Sequence, residues 1–325
     1  MRAATVYVAS AGIFVAAAAY FVQQWSLPMW QAALYAVLLA YLPSYLDTCP
    51  TTHRGRYWPW FATRDWRWLS PFVKKAELHF ETPLTKGTQY LFAVHPHGVA
   101  SWHHGVLLGN TSTPPFSDFV PGDQRRHLGA SVVFRIPLWR EFMLYFGVVD
   151  ASKHVAHAVL KSGKTLVILV GGVIEQMMAK RGEHLIYVKH RKGIPIIRAR
   201  FHATANWRFN MALLSSQCIA LGKQTCLRPP RKKHLKFLLP FRQWVAKKFS
   251  VALPICWGPY WWCPIYPFDV EYHHVFGNPI PTTKTDHPTQ EDIDRVHKQY
   301  VAELERIFEK YKAQFGYPEA TLHVC

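Results

Sequence analysis

After the apolar run Tyr90-Leu-Phe-Ala-Val94 the chain reads His95-Pro96-His97-Gly98, and then Ser101-Trp102-His103-His104-Gly105. Pro96 stiffens this loop and Gly98 lets the backbone turn closely, so two imidazoles are held at the end of a strand with little freedom. Neutral histidine near pH 7 can take a proton from an alcohol as that alcohol attacks an acyl carbon, provided a carboxylate or carbonyl fixes its tautomer. A chain with 18 histidines also yields such a pair by chance. His95, His97, His103 and His104 could instead supply metal ligands. However, Val99 and Ala100 stand where the HxHxDH hydrolase pattern needs Asp and His, and no HExxH follows. No metal is therefore expected at this motif.

A second group is Thr165-Leu-Val-Ile-Leu-Val170-Gly171-Gly172-Val-Ile-Glu175, an apolar strand running into a Gly-Gly turn and an acid. A carboxylate at that sheet end could orient an imidazole and stabilise its protonated form. It could equally be a helix-start acid favoured by the helix dipole. Lys189-His190-Arg191-Lys192-Gly193 places three cations in five residues, a run that suits acyl-carrier phosphates, lipid headgroups or plain solvent. No GxSxG nucleophile motif is present, which favours direct transfer over a covalent acyl-enzyme.

These groups need a scaffold. Gln89 to Val94, Ser131 to Phe134 and Thr165 to Val170 read as strands, while Leu138 to Phe146 and Ser152 to Leu160 carry helical spacing. The alternation predicts an α/β domain with its functional groups at strand ends. The clearest helix is the last, opened by Thr289-Gln-Glu-Asp292 and carried by Ile293, Val296, Tyr300, Leu304, Tyr311 and Phe315, with Gly316 and Pro318 ending it.

The 325 residues are half apolar and carry 38 Lys plus Arg against 20 Asp plus Glu, a formal charge of +18. Such a chain buries a core and is not disordered, and its positive excess must face something anionic. Between Arg2 and Asp47 there is no Asp, Glu, Lys or Arg, and the stretch divides into Ala4 to Val22 and Met29 to Leu46. Each half approaches the ~20 apolar residues that span a bilayer. The expectation is a transmembrane helical hairpin over 1–50, then a domain over 51–325 whose first basic residues lie on the cytosolic side. A cleaved leader is the alternative for the first half, although the second half would still anchor the chain. Nucleic acid is not expected as a partner, because no RNP, zinc-finger or helix-turn-helix pattern accompanies the charge. The six cysteines show no CxxC pair and read as free thiols.

Together these pieces resemble the type-2 diacylglycerol acyltransferase family, which includes monoacylglycerol acyltransferase and wax synthase relatives. The resemblance rests on the N-terminal hairpin and on YLFAVHPHG (Tyr90 to Gly98), FRIPLWRE (Phe134 to Glu141), LVGGVIE (Leu169 to Glu175), HRKG (His190 to Gly193), WVAKKF (Trp244 to Phe249), VFGNPI (Val275 to Ile280) and HPTQEDID (His287 to Asp294), in order. It implies a multi-pass endoplasmic reticulum enzyme, also found at lipid droplets, with a membrane-associated α/β acyltransferase domain facing the cytosol. Acyl-CoA would be the co-substrate, with no further cofactor, and diacylglycerol the acceptor. Monoacylglycerol or a fatty alcohol are the alternative acceptors, membrane lipids are partners, and a homo-oligomer is admitted. His95, His97 and Glu175 would be catalytic, with His97 the preferred base. Pro96, Gly98, Arg191, Lys192 and Gly193 would bind substrate. Residues 194–236 diverge: no Val-Pro or Phe-Gly-Glu element appears, so a strand of the catalytic sheet is expected to be missing, and a catalytically impaired lipid-binding protein is the remaining alternative.

Overall fold

A computed structural model describes residues 16, 20, 28–98, 101–179, 183–189, 207–216, 239–249, 252, 258–261, 266–280 and 289–325. The chain divides into two compact units, Met1–Pro50 and Thr51–Cys325. In the first, helix α1 covers Met29–Tyr41, and a 3₁₀ turn over Leu42–Leu46 follows, with Pro43 in its first turn. At 1.5 Å per residue the 13 residues of α1 span only about 20 Å, short of the roughly 30 Å hydrocarbon layer. Of Ala4 to Val22 only Ala16 and Tyr20 are described, both helical. Among the described residues no helix is long and apolar enough to cross a membrane, so no described helix meets the expectation of a transmembrane hairpin.

The second unit is α/β. Its described strands are β1 (Val73–Phe80), β2 (Gln89–His95), β3 (Arg125–Gly129), β4 (Val148–Asp150), β5 (Thr165–Leu169), β6 (His184–Ile186), β7 (Trp207–Ser216), β8 (Val270–Phe276) and β9 (Leu322–Val324). Seven form one sheet in the order β1-β8-β7-β2-β5-β3-β4, and β6 and β9 pair separately. All pairs are parallel except β7 with β8. The long apolar runs of β2 and β5 are thus explained: they lie inside the sheet, β2 is buried throughout, and a strand covered on both faces needs no polar alternation.

Helices close both faces. On one, α2 (Trp102–Leu108) packs Val106 and Leu107 with Tyr90, Phe92 and Val94 of β2. On the other, α4 (Lys153–Lys161), numbered after α3 (Trp139–Tyr145), buries Val155, Ala156, Val159 and Leu160 at helical spacing. The long C-terminal helix, α7 (Gln290–Lys312), joins that second face through Tyr300, Leu304 and Ile307, which pack with Leu91 and Ala93. Between them in the chain come α5 (Gly172–Met178) and α6 (Leu239–Phe249). The capping box expected at Thr289 and Asp292 is formed in both directions, with Thr289 Oγ1 accepting from the Asp292 amide at 3.1 Å.

Two expectations are corrected. Ser131 to Phe134 is not a strand but a 3₁₀ turn, Ser131–Arg135; the strand is the charged Arg125–Gly129 just before it. Arg125 and Arg126 are buried there because carbonyls surround them: Arg125 reaches Leu107 O and Asn110 Oδ1, and Arg126 donates to Arg54 O at 2.7 Å. The sheet also does not lack a strand across the divergent stretch, since β7 lies within residues 194–236 and pairs with β2 and β8. Cys49 and Cys325, both described, form no disulfide.

Candidate active site

Residues alternate faces along β2, so His95 follows Leu91 and Ala93 onto the α7 side of the sheet. It is fully buried, and its Nε2 lies 2.5 Å from the hydroxyl of Tyr300 on α7. Its Nδ1 faces Glu175 Oε2 at 3.4 Å. Burial, with the Glu175 charge nearby, holds the Tyr300 phenol well above its usual range, so it keeps its proton. His95 is thus enclosed between the Tyr300 hydroxyl on one side and the Glu175 carboxylate on the other.

Glu175 sits on the first turn of α5 and is buried. Its Oε1 accepts from the backbone amide of His97, and its Oε2 accepts from the Tyr187 amide at 2.8 Å. Burial raises its pKa, but His95 and the two amides outweigh that cost and leave the carboxyl below its usual value. It is therefore a fixed anion. The Gly-Gly turn makes room for it: Gly172 has φ +55°, and a Cβ on Gly171 would collide with the Glu175 carboxylate. Tyr187 is presented just past β6, and the segment is tied to α7 because His297 Nε2 donates to Val188 O at 2.9 Å.

His97 is half-buried at the loop. Its Nδ1 lies 3.2 Å from the carbonyl of Gly98, whose φ of +66° requires glycine. A carbonyl can only accept, so Nδ1 carries the proton and Nε2 keeps its lone pair. Burial pulls the His97 pKa below the usual imidazole value, opposed by the Gly98 carbonyl and the Glu175 charge. A neutral imidazole with a free lone pair is what proton abstraction from a hydroxyl requires.

The structure thus brings together His95, Pro96, His97, Gly98 and Glu175. Arg191, Lys192 and Gly193 lie outside the described residues. The carboxylate faces the imidazole of His95 and only the backbone of His97, a division the sequence did not show. Tyr300 and the Tyr187 amide are further members of the site. Tyr300 had stood among the apolar positions of the last helix, yet a tyrosine on a buried stripe needs a partner for its hydroxyl, and that was the available signal.

His103 and His104 lie on the opposite face, in α2. His104 Nε2 is 2.8 Å from His127 Nδ1, and His274 Nε2 is 3.1 Å from the His103 carbonyl. Burial drives all four downward, His104 to about 3 and His274 to about 4. Among the described residues no group of converging metal-type ligands includes His95, His97, His103 or His104. A cavity of about 450 Å³ lies elsewhere, along β1, lined by Arg67, Lys74, Lys75, Thr111 and Thr113 among others.

The chain matches a family model described as diacylglycerol acyltransferase over residues 20–324. It is 28% identical to 2-acylglycerol O-acyltransferase 3 of Homo sapiens over 290 residues, 85% of this chain and 80% of that protein. Diacylglycerol O-acyltransferase 1 of Schizosaccharomyces pombe is 25% identical over 327 residues, 97% of this chain and 88% of that protein. Diacylglycerol O-acyltransferase 2 of Homo sapiens is 27% identical over 235 residues, 71% of this chain and 58% of that protein.

Proposed function

This chain belongs to the diacylglycerol acyltransferase family, and on that premise we propose that it transfers a fatty acyl group from acyl-CoA to the free hydroxyl of diacylglycerol, forming triacylglycerol. The observation that carries the mechanism is the contact of His97 Nδ1 with the Gly98 carbonyl, which leaves Nε2 as the acceptor for the hydroxyl proton. As that proton moves to Nε2, the acceptor oxygen attacks the thioester carbon. Collapse of the tetrahedral species expels the CoA thiolate, which takes the proton back from the imidazolium. Glu175 holds the loop through the His97 amide and steadies the positive charge that His97 gains. His95, locked between Tyr300 and Glu175, is a positioning residue. The thioester is already a good leaving group, so positioning and base catalysis are effects of sufficient size.

Monoacylglycerol is the second reading for the acceptor, favoured by the similarity to a 2-acylglycerol O-acyltransferase. Membranes carrying the protein, given labelled acyl-CoA with diacylglycerol, 2-monoacylglycerol or a fatty alcohol, decide among them. Label appearing in triacylglycerol is the expected result, and label in diacylglycerol or wax ester alone would replace it. Absence of all three products would favour a lipid-binding protein without turnover.

The proposed setting is the endoplasmic reticulum membrane and lipid droplets, with the catalytic unit on the cytosolic side. Exposure of Trp30, Leu34, Val37 and Leu38 on α1 supports an apolar environment for that helix. Carbonate extraction and protease protection of tagged protein test this placement.

A further inference from the structure

A second cluster of imidazoles lies away from the histidine loop, at the edge of the large sheet. Along β1, Ala76 and Leu78 enter the core on the α2 side, so Glu77 and His79 project from the opposite face. The parallel register of β1 with β8 sets Glu77 beside His273. Strand alternation and register therefore bring a carboxylate and two imidazoles to one place.

Their spacing is specific. Glu77 Oε2 is 3.1 Å from His273 Nδ1 and 3.5 Å from His79 Nε2, and the two nitrogens are 3.4 Å apart. In a tetrahedral zinc site with bonds of 2.0–2.1 Å, adjacent ligand atoms stand about 3.3 Å apart. The three atoms thus outline one face of such a tetrahedron, with the fourth corner left for water.

The surroundings fit the same reading. Lys75 takes the other carboxylate oxygen, Oε1, at 2.8 Å, so Oε2 remains for a cation. Glu271 Oε2 lies 3.9 Å from the second ring nitrogen of His273, beyond hydrogen-bond reach but on the side from which a carboxylate can orient a metal-bound imidazole. The ring of Phe315 stacks on His273 at 4.5 Å and leans on His79 at 5.5 Å, which fixes both ring planes.

We propose that Glu77, His79 and His273 form a binding site for a divalent transition cation of the zinc class, which pins β1 to β8. The two-imidazole, one-carboxylate donor set suits zinc better than calcium or magnesium, which take oxygen ligands. The proposal is independent of the acyl-transfer chemistry.

The test uses the full chain purified in detergent, stripped with a chelator and titrated with zinc or cobalt(II). The expected result is one tightly held zinc per chain by mass spectrometry, visible cobalt absorption of tetrahedral intensity, and a higher thermal midpoint with zinc. His79→Ala and Glu77→Gln alter partly exposed side chains, and each should weaken zinc binding by roughly tenfold or more. His97→Ala should bind zinc like the unaltered protein. Zinc binding that is absent, or that is unchanged in both His79→Ala and Glu77→Gln, would overturn the proposal.

Discussion

Glu175 accepts a hydrogen bond from the backbone amide of His97 rather than from its imidazole. The carboxylate therefore shapes the loop that carries the proposed base, while its contact with an imidazole ring is with His95. The two histidines of one short motif, His95 and His97, are thereby divided between two tasks.

Replacing His97 with Ala should lower the acyl-transfer rate by roughly 10²- to 10⁴-fold, the usual worth of a positioned base. Acyl-CoA affinity and thermal midpoint should change little, because the ring is half-buried and makes one local contact. Radiolabelled product formation and equilibrium binding of a non-transferable acyl-CoA analogue check both parts. Full activity in this variant would exclude the assignment.

Glu175→Ala should destabilise the second unit as well as inactivate it. It strands the part-buried His97 and Tyr187 amides, and each donor left unsatisfied costs up to about 1–3 kcal/mol. Glu175→Gln keeps an acceptor oxygen and should recover part of the stability but not the charge. Denaturant melts of the two variants separate these contributions, and equal stability would count against the hydrogen bonds described.

Tyr300→Phe removes the hydroxyl paired with His95 Nε2 without opening a cavity. The expected loss is about 1–3 kcal/mol of stability, from one buried ring nitrogen deprived of its hydroxyl partner. A positioning role further predicts a fall in kcat with little change in KM for acyl-CoA. A variant that melts earlier yet keeps its kcat would reduce Tyr300 to a packing residue.

The buried histidines make the fold acid-sensitive. His104 is held near 3 and His274 near 4, chiefly by burial, whereas in an unfolded chain each titrates near 6.5. Between those values the unfolded state binds more protons, so stability is complete above about pH 7 and falls as pH drops from about 6.5 toward 4. Each such histidine contributes up to about 1.4 kcal/mol per pH unit over that window. The lowered carboxyl of Glu175 acts in the same direction but further down, its stabilisation being lost as pH falls below the ordinary carboxylate range and through the folded pKa. Thermal midpoints measured from pH 8 to pH 4 test the sign, and a midpoint that rises on acidification would contradict it.

The rate should follow His97 itself. Because burial lowers its pKa, the acid limb of the rate profile is expected below pH 6.5, read from initial rates before the fold responds. A limb at or above that value would place a different group in charge of the proton.

The sequence by itself determined the local features. Thr289 and Asp292 make their capping box, and Val155, Ala156, Val159 and Leu160 bury one face of α4, because caps and periodic stripes depend only on near neighbours. It also determined that a strand ends at the His95 loop and that a Gly-Gly turn precedes Glu175, since apolar runs and glycine punctuation are local signals. Tertiary structure alone decided the rest. Arg125–Gly129 is a buried strand although it begins with two arginines, because carbonyls distant in sequence receive their guanidinium groups. The pairing of His95 with Tyr300 spans 205 positions, and that of Glu77 with His273 follows from strand register. Which residues meet across a sheet is settled by how the strands are ordered, and no window of neighbouring residues contains that information.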